Sequence, residues 1–256
     1  MIQYEIIDGV GKITLNRPDK YHSFVREMAL QLQVALDKCN ENNEVRAILI
    51  TSNGKAFCAG QDLVEATDPN GPSLTQIILE HYNPIIRKIR NIEKPVVAAV
   101  NGVAAGAGAS IALCCDIVVA TQSASFIQAF SKIGLIPDSG GTFFLPRLVG
   151  MQRATALMMT ADPVSATAAM EMGMIYQIFS DETFEEESWK LVSKLAKMPT
   201  KGLGLTKRLL NASYTNNFEE QMEMEEKCQT IAGKTSDFKE GTTAFFEKRK
   251  PNFKGE

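Results

Sequence analysis

The sequence is poor in the residues that build metal centres and disulfide-stabilised scaffolds. Its five cysteines include no C-x-x-C pair, and only two histidines, His22 and His81, are present. No cysteines and histidines are grouped at the spacing of a zinc site, and the cysteine pattern is not that of a small secreted domain. We therefore expect reduced cytosolic thiols and no metal site.

Long hydrophobic runs and a broad excess of basic charge are also absent. No apolar run approaches the roughly 20 residues that a membrane-spanning helix needs, and the first 16 residues lack the basic and apolar segments of a secretion signal. The formal net charge is −3, which argues against nucleic acid or an anionic membrane as the main partner. A cytoplasmic protein is the expectation.

The residues that are present favour one substantial α/β domain. Of the 256 residues, 45% are hydrophobic, enough to bury a large core. Strand-like and helical segments alternate over the first 150 residues, which is typical of a layered α/β core. The predicted strands are 2–7, 11–15, Ala47–Thr51, Val96–Val100 and Ile117–Ala120, and the predicted helices are Phe24–Asn40, Leu74–Arg90 and Gly106–Leu113.

Beyond about residue 150 the pattern becomes helical. One short strand is predicted near Ile175–Phe179, and the predicted helices are Met151–Thr160, Ser165–Glu171, Phe184–Met198, Gly202–Ala212, Phe218–Ala232 and Phe238–Lys248. Several of these helices are apolar on one face, so they either form an oligomer contact or close the same core. The pattern leaves both open.

Two loops combine small residues with a place directly after a predicted strand. Residues Lys55–Asp62 follow the strand Ala47–Thr51, and residues Asn101–Ser110 follow the strand Val96–Val100 and open a helix. Glycine lets a ligand approach the main chain closely, and the free N–H groups at a helix start favour an anion or a developing negative charge. Tight helix–sheet packing is the alternative interpretation of the second loop. A dinucleotide site is disfavoured because the third glycine of G-x-G-x-x-G is missing.

One carboxylate, Asp138, stands between Pro137 and Gly140-Gly141 in a stretch with few charges. Its apolar surroundings predict partial desolvation, which raises the pKa of a carboxyl group and suits acid–base work near neutral pH. An exposed turn residue or a helix N-cap is the alternative.

Five segments together resemble the crotonase superfamily, also called the enoyl-CoA hydratase/isomerase family. They are "NRPDKYHSF" at 16–24, "KAFCAGQDL" at 55–63, "KPVVAAVNGVAAGAGASIALCCDIVVA" at 94–120, "IGLIPDSGGTFFLPRLVG" at 133–150 and "TAFFEKRKPNF" at 243–253. The resemblance covers essentially the whole chain. It implies a crotonase-like spiral of ββα turns over residues 1–198 and a helical C-terminal region, residues 199–256, that builds trimers, often stacked as hexamers.

The resemblance also implies a substrate and its contacts. Two main-chain N–H groups, those of Gln61 and Ala107, would bind the thioester oxygen of an acyl-CoA. Ala59, Gly60, Phe245 and Lys248 would contact the CoA moiety, the last two reaching the ligand of a neighbouring subunit, although a solvated Lys248 remains the alternative. Coenzyme A is then part of the substrate, and no separate cofactor is expected.

The acids decide which reaction is implied. Hydratases of the family use two glutamates, and the matching positions here carry Ser110 and Phe130. Asp138 remains as a single acid–base group, which suits isomerisation of either an epoxidised phenylacetyl thioester or a linear 3-enoyl thioester. A hydratase partner of the same pathway is compatible with that role.

Three further alternatives remain open. Simple enoyl-CoA hydration is disfavoured by the missing glutamates. Dehalogenation of an aryl-CoA needs a base histidine where this chain has Arg87, with His81 two turns earlier. A catalytically silent scaffold or RNA-binding relative is disfavoured by the acidic charge balance and the two intact amide segments.

Overall fold

Two β-sheets form the frame of the molecule, and the computed structural model describes all residues, 1–256. The strands are β1 Ile2–Ile7, β2 Val10–Leu15, β3 Ala47–Ser52, β4 Ala56–Cys58, β5 Val96–Val100, β6 Val103–Ala105, β7 Ile117–Thr121, β8 Ser125–Ile127, β9 Val164–Ser165 and β10 Gln177–Phe179. The larger sheet has the order β1-β2-β3-β5-β7-β10 and the smaller one β4-β6-β8-β9.

Twelve α-helices and one π-helix accompany the sheets. The α-helices are α1 Arg26–Glu41, α2 Leu63–Thr67, α3 Leu74–Gln76, α4 Asn83–Asn91, α5 Ala107–Leu113, α6 Gly141–Val149, α7 Met151–Thr160, α8 Ala166–Glu171, α9 Phe184–Ala196, α10 Thr200–Ala212, α11 Phe218–Ala232 and α12 Ser236–Glu247. The π-helix, Ile77–Tyr82, lies between α3 and α4, and short 3-10 helices occupy Pro18–Lys20 and Ala129–Ile133. None of these helices combines the length and the apolar character that crossing a bilayer requires.

The chain runs as a spiral of repeated strand pairs. Three consecutive pairs, β3 with β4, β5 with β6 and β7 with β8, each place the first strand in the larger sheet and the second in the smaller one. Neighbouring strands β4, β6 and β8 run parallel. Their carboxyl ends therefore lie side by side, and the loops that follow them meet at one edge of the smaller sheet. This architecture agrees with the predicted α/β spiral followed by a helical C-terminal region.

The central strands β3 and β5 of the larger sheet are buried on both faces, as their apolar sequences require. Ile48 and Ile50 of β3 face the core shared with α1 and α4, whereas Leu49 and Val97 face α9 through Phe184 and Val192. A parallel strand covered on both sides needs apolar residues at consecutive positions, which is why β5 is apolar throughout and buried at each position.

The predicted strands of the larger sheet and most predicted helices are confirmed to within a few residues. The smaller sheet was not predicted, because strands of two or three residues are too short to show a period. The helical segment predicted over Leu74–Arg90 is confirmed, but a π-helix, Ile77–Tyr82, divides it into two α-helices. Pro84 has no N–H to give the carbonyl of Glu80, and that carbonyl instead accepts a hydrogen bond from Gln33 Nε2 at 2.7 Å.

A buried ion pair ties the C-terminal helices to the spiral. Lys207 of α10 is 7% exposed, and its Nζ lies 2.8 Å from Asp116 Oδ2. Asp116 Oδ1 also lies 3.1 Å from Arg90 Nη1. The helices α10 to α12 follow Pro199, and both the division at residue 198 and the trimer contact assigned to these helices remain predictions.

Replacing Asp116 by alanine is expected to lower the free energy of unfolding by about 3–5 kcal/mol, because it leaves the buried Lys207 ammonium without its partner. Urea unfolding of the two proteins would measure the loss. Lys227→Met is the matched control, since its pair with Glu223 is exposed and 3.8 Å long and contributes little. A similar loss in both variants would contradict the assignment.

Candidate active site

The loops that follow β4, β6 and β8 surround an apolar cavity of about 440 Å³. Thirteen of its 21 lining residues are hydrophobic. The predicted site residues that line it are Ala59, Gly60, Gln61, Ala107 and Asp138. A larger cleft of about 560 Å³ elsewhere is polar, bordered by residues such as Thr121 and Asp181, and contains none of them. The smaller, apolar cavity is therefore the candidate site.

The Gln61 amide points away from the backbone ladder that holds its loop. The Phe24 N–H donates to the Gly60 carbonyl at 2.7 Å, and the Asp62 N–H donates to the Phe24 carbonyl at 2.9 Å. These two bonds bracket Gln61, whose own N–H makes no backbone hydrogen bond. Gly60 has φ +89°, a conformation that favours glycine, and both Gly60 and Gln61 line the cavity.

The Ala107 amide is free because Ala107 is the first residue of α5, where an N–H has no acceptor within the helix. Gly108 lets this helix start approach β4, since a Cβ on Gly108 would lie 2.4 Å from the Cys58 carbonyl oxygen. A Cβ on Gly60 would lie 3.3 Å from the Ala107 nitrogen. The loops carrying the two amides are thus in close contact.

The segment 16–24 holds the Gln61 loop from outside. Arg17 Nη1 donates to Asp62 Oδ2 at 2.7 Å and to the Ser23 carbonyl at 2.8 Å. The Ala59 N–H donates to the Tyr21 carbonyl at 2.9 Å. Burial acts to raise the pKa of Asp62, but the hydrogen bonds from Arg17 and from the Val64 N–H outweigh it and lower that pKa. The Asp62 carboxylate is therefore held in a structural ion pair with Arg17.

Asp138 is the other carboxylate of the cavity, and it forms no ion pair. It is half-buried, and burial raises its pKa above the ordinary value even though the Ser139 hydroxyl acts to lower it. Asp138 begins the turn closed by the Gly141 N–H at 2.8 Å, but it is half-buried and not fully exposed. The alternative role as helix N-cap is wrong, since Gly140 is the N-cap of α6. A carboxylate in this position can accept and return a proton near neutral pH.

The positions at which the hydratases carry glutamates hold no acid in the cavity. Phe130 is buried and lines the wall. Ser110 is 1% exposed, and its hydroxyl has no hydrogen-bond partner. That hydroxyl lies beneath the Asp138 turn, 2.9 Å from the point that a Cβ on Gly141 would occupy.

Two residues of the site were not predicted from the sequence. Tyr82 lines the cavity, and its hydroxyl donates to Gln61 Oε1 at 2.9 Å. Gln61 Nε2 in turn donates to Glu65 Oε2 at 2.9 Å. These two hydrogen bonds hold the side chain of Gln61, the residue whose main-chain N–H is free. Ser139 donates from Oγ to Asp138 Oδ1 at 2.8 Å. Neither residue belongs to a spacing pattern that would have revealed it.

The C-terminal candidates lie apart from the cavity of their own chain. Phe245 is 78% exposed on α12. Lys248, the residue after that helix, is exposed with φ +54°. Both are therefore accessible from outside the protomer.

Taken with the spiral fold, the two free amides and the unpaired acid in an apolar cavity define a crotonase-type enzyme. The model of the family described as enoyl-CoA hydratase/isomerase matches residues 5–256, and the chain belongs to that family. It is 46% identical over 250 residues to the 1,2-epoxyphenylacetyl-CoA isomerase of Escherichia coli strain K12, covering 96% of this chain and 95% of that protein.

Two further relatives are equally complete in coverage. A protein of Rhodobacter capsulatus described as a probable enoyl-CoA hydratase is 41% identical over 254 residues, with 99% of this chain and 98% of that protein covered. A crystal structure from Mycobacterium abscessus, described as an enoyl-CoA hydratase/isomerase, superposes with a TM-score of 0.94 at 34% identity, covering 99% of each chain.

Proposed function

We propose that the protein is an acyl-CoA isomerase that uses Asp138 as its single acid–base group. The observation that carries the proposal is the inventory of acids in the cavity: Asp62 is paired with Arg17, whereas Asp138 is unpaired. A reaction that needs one group to remove a proton at one carbon and return it at another requires no second acid. Hydration, which places water across a double bond, is supported less well.

The amides of Gln61 and Ala107 would supply most of the rate acceleration. They would donate to the thioester oxygen, whose negative charge grows as the neighbouring carbon loses its proton. Donors fixed in an apolar cavity stabilise such a charge strongly, and removing one typically costs about 100- to 1000-fold in rate. The thioester enolate would then persist long enough for Asp138 to return the proton elsewhere.

For the substrate we propose 2-(1,2-epoxy-1,2-dihydrophenyl)acetyl-CoA, converted into oxepin-CoA. Asp138 would take a proton from C2, and the C–C bond between the two epoxide carbons would break, so that the oxygen becomes a member of a seven-membered ring. The proton would return to a carbon of that ring, which gives an isomer of the same composition and charge. The similarity to the Escherichia coli isomerase supports this choice. It would place the protein in phenylacetate degradation, where a hydratase partner could consume the product.

A linear 3-enoyl-CoA of fatty-acid oxidation is the second candidate, because the same three groups would move its double bond from C3 to C2. Dehalogenation is disfavoured by position: neither His22 nor His81 lines the cavity, and Arg87 is exposed away from it. The lysines Lys20 and Lys132 at the cavity suit the phosphates of a CoA thioester.

Other parts of the proposal concern the CoA moiety and the assembly. Main-chain groups at Ala59 and Gly60 would contact the CoA moiety. Phe245 and Lys248 would reach the CoA of a neighbouring subunit in a homotrimer or a hexamer of two trimers. The exposure of Phe245 on α12 and of Lys248 directly after that helix supports a contact outside their own protomer.

A comparison of the two thioesters tests the proposed substrate. The purified protein is expected to isomerise the epoxyphenylacetyl thioester with a kcat/KM at least about tenfold above that for a linear 3-enoyl-CoA, a margin of about 1.4 kcal/mol in transition-state binding. Product formation would be followed by ultraviolet absorbance and mass spectrometry. A preference for the linear substrate would assign the second candidate, and turnover of neither would remove the proposed function.

A further inference from the structure

Ser139 stands next to Asp138 in a conformation that serine seldom adopts. Its φ is +53°, in the left-handed region, which costs a residue with a Cβ about 1–2 kcal/mol. The side chain is 2% exposed. From this position the Ser139 hydroxyl donates to Asp138 Oδ1 at 2.8 Å.

No other side chain supports the Asp138 carboxylate. The hydroxyl of Ser139 is its one side-chain hydrogen-bond partner. The second oxygen, Oδ2, has no side-chain partner. The orientation of the acid therefore depends on one donor.

The turn beneath Ser139 is held in place by packing. Gly140 follows in the same left-handed region, with φ +73°, and a Cβ there would meet the Phe144 ring at 2.8 Å. The Phe144 ring also contacts Arg90 of α4, whose guanidinium carbon lies 5.4 Å from the centre of the ring. The backbone of the turn is thus packed against α6 and α4. This packing fixes the position from which the Ser139 hydroxyl donates to Asp138.

We propose that Ser139 is a positioning residue that holds the Asp138 carboxylate through Oδ1 and leaves Oδ2 free for proton transfer. The inference rests on the proposed function, in which Asp138 carries the proton. A hydrogen bond donated to the charged form of an acid stabilises that form, so Ser139 also sets the pH range over which Asp138 is a base. A residue with a merely structural role would not affect that range.

Other titratable groups around the carboxylate have to be accounted for in a pH profile. Those that share the cavity with Asp138 are Lys20, Asp62, Tyr82 and Lys132, with Arg90 behind the turn. Asp62 is paired with Arg17, and burial raises the pKa of Tyr82 well above its usual value, so it stays neutral. None of them contacts the Ser139 hydroxyl, so changes at Ser139 leave their titration in place.

The variants Ser139→Ala and Ser139→Gly test the proposal. Both remove the hydroxyl, but only glycine also relieves the left-handed strain and so protects against a failure to fold. Loss of a hydrogen bond to a charged group is expected to lower kcat/KM by about tenfold. In both variants the rising limb of the pH–rate profile should move to higher pH, because the protonated acid is no longer disfavoured.

A direct titration keeps this test independent of turnover. Carbon-13 NMR of labelled aspartates, with the Asp138 signal assigned through Asp138→Asn, should show the Asp138 carboxyl titrating at higher pH in both variants. Ser188→Ala is the matched control: it is also a buried serine, its hydroxyl has no partner, and it should change neither readout.

The possible results separate the two proposals. An unchanged titration of Asp138 in both variants would overturn the role of Ser139, whatever happens to the rate. An altered rate in Ser139→Gly alone, with a normal Ser139→Ala, would show that backbone conformation and not the hydroxyl matters, which also overturns it. If the wild-type protein turns over no acyl-CoA, the proposed function fails, and a shifted titration still supports the coupling between Ser139 and Asp138.

Discussion

Asp138→Asn is expected to lower the isomerase kcat by about 100-fold or more and to leave acyl-CoA affinity within a few-fold. Asparagine keeps the size and the polar contacts of the side chain but cannot accept the proton from C2. The amides of Gln61 and Ala107 are untouched, so the thioester should bind as before. A loss confined to kcat is the signature of a group that acts in the transition state.

Steady-state rates and acyl-CoA binding by calorimetry would measure this separation. Asp162→Asn is the matched control, because Asp162 is an exposed aspartate outside the cavity. Activity of Asp138→Asn within about threefold of wild type would be incompatible with a general base at this position, since such groups contribute about 100-fold or more.

The stability of Asp138→Asn distinguishes a loss of the acid–base group from simple misfolding. Burial raises the pKa of Asp138 above its unfolded value, so its contribution to stability is full at low pH and is lost as pH rises through the folded pKa. At neutral pH the ionised carboxylate is a cost that asparagine lacks. The variant should therefore melt no lower than wild type at pH 7, while wild-type activity increases with pH as Asp138 ionises.

The sequence identified the three loops of the site because each carries a local signal. The first two loops are marked by the glycines Gly60 and Gly106. The third is marked by an isolated acid, Asp138, next to a proline. What joins them is the smaller sheet, whose strands of two or three residues are held by the spiral and not by their own propensity. For that reason the smaller sheet was not predicted from the sequence.

The supporting residues could not be predicted for a different reason. Tyr82, which contacts Gln61, lies on a π-helix, and Gln33 donates to the carbonyl of that helix that Pro84 leaves free. Ser139 reaches Asp138 because its backbone is left-handed. Both depend on tertiary packing, which overrides the local pattern.

Gly60→Ala is expected to lower kcat by about 100-fold, the effect of losing one donor to the thioester oxygen. A Cβ at residue 60 would lie 3.0 Å from the Ala105 carbonyl oxygen and 3.3 Å from the Ala107 nitrogen. Both neighbours are backbone atoms, so the loop has to move, and the Gln61 and Ala107 amides would no longer converge on one oxygen. Because the amides act mainly on the developing charge, kcat should fall more than affinity.

Gly150→Ala separates this effect from backbone strain. Gly150 has φ +81°, close to the +89° of Gly60, but no atom lies within 4 Å of the position that its Cβ would occupy. Both variants should therefore lose stability in thermal unfolding through the positive φ, Gly60→Ala more so because of its close contacts, while only Gly60→Ala loses activity. Equal activity losses would show that the damage comes from strain alone, whereas a fully active Gly60→Ala would mean that the thioester oxygen is bound elsewhere and that the two amides do not form its site.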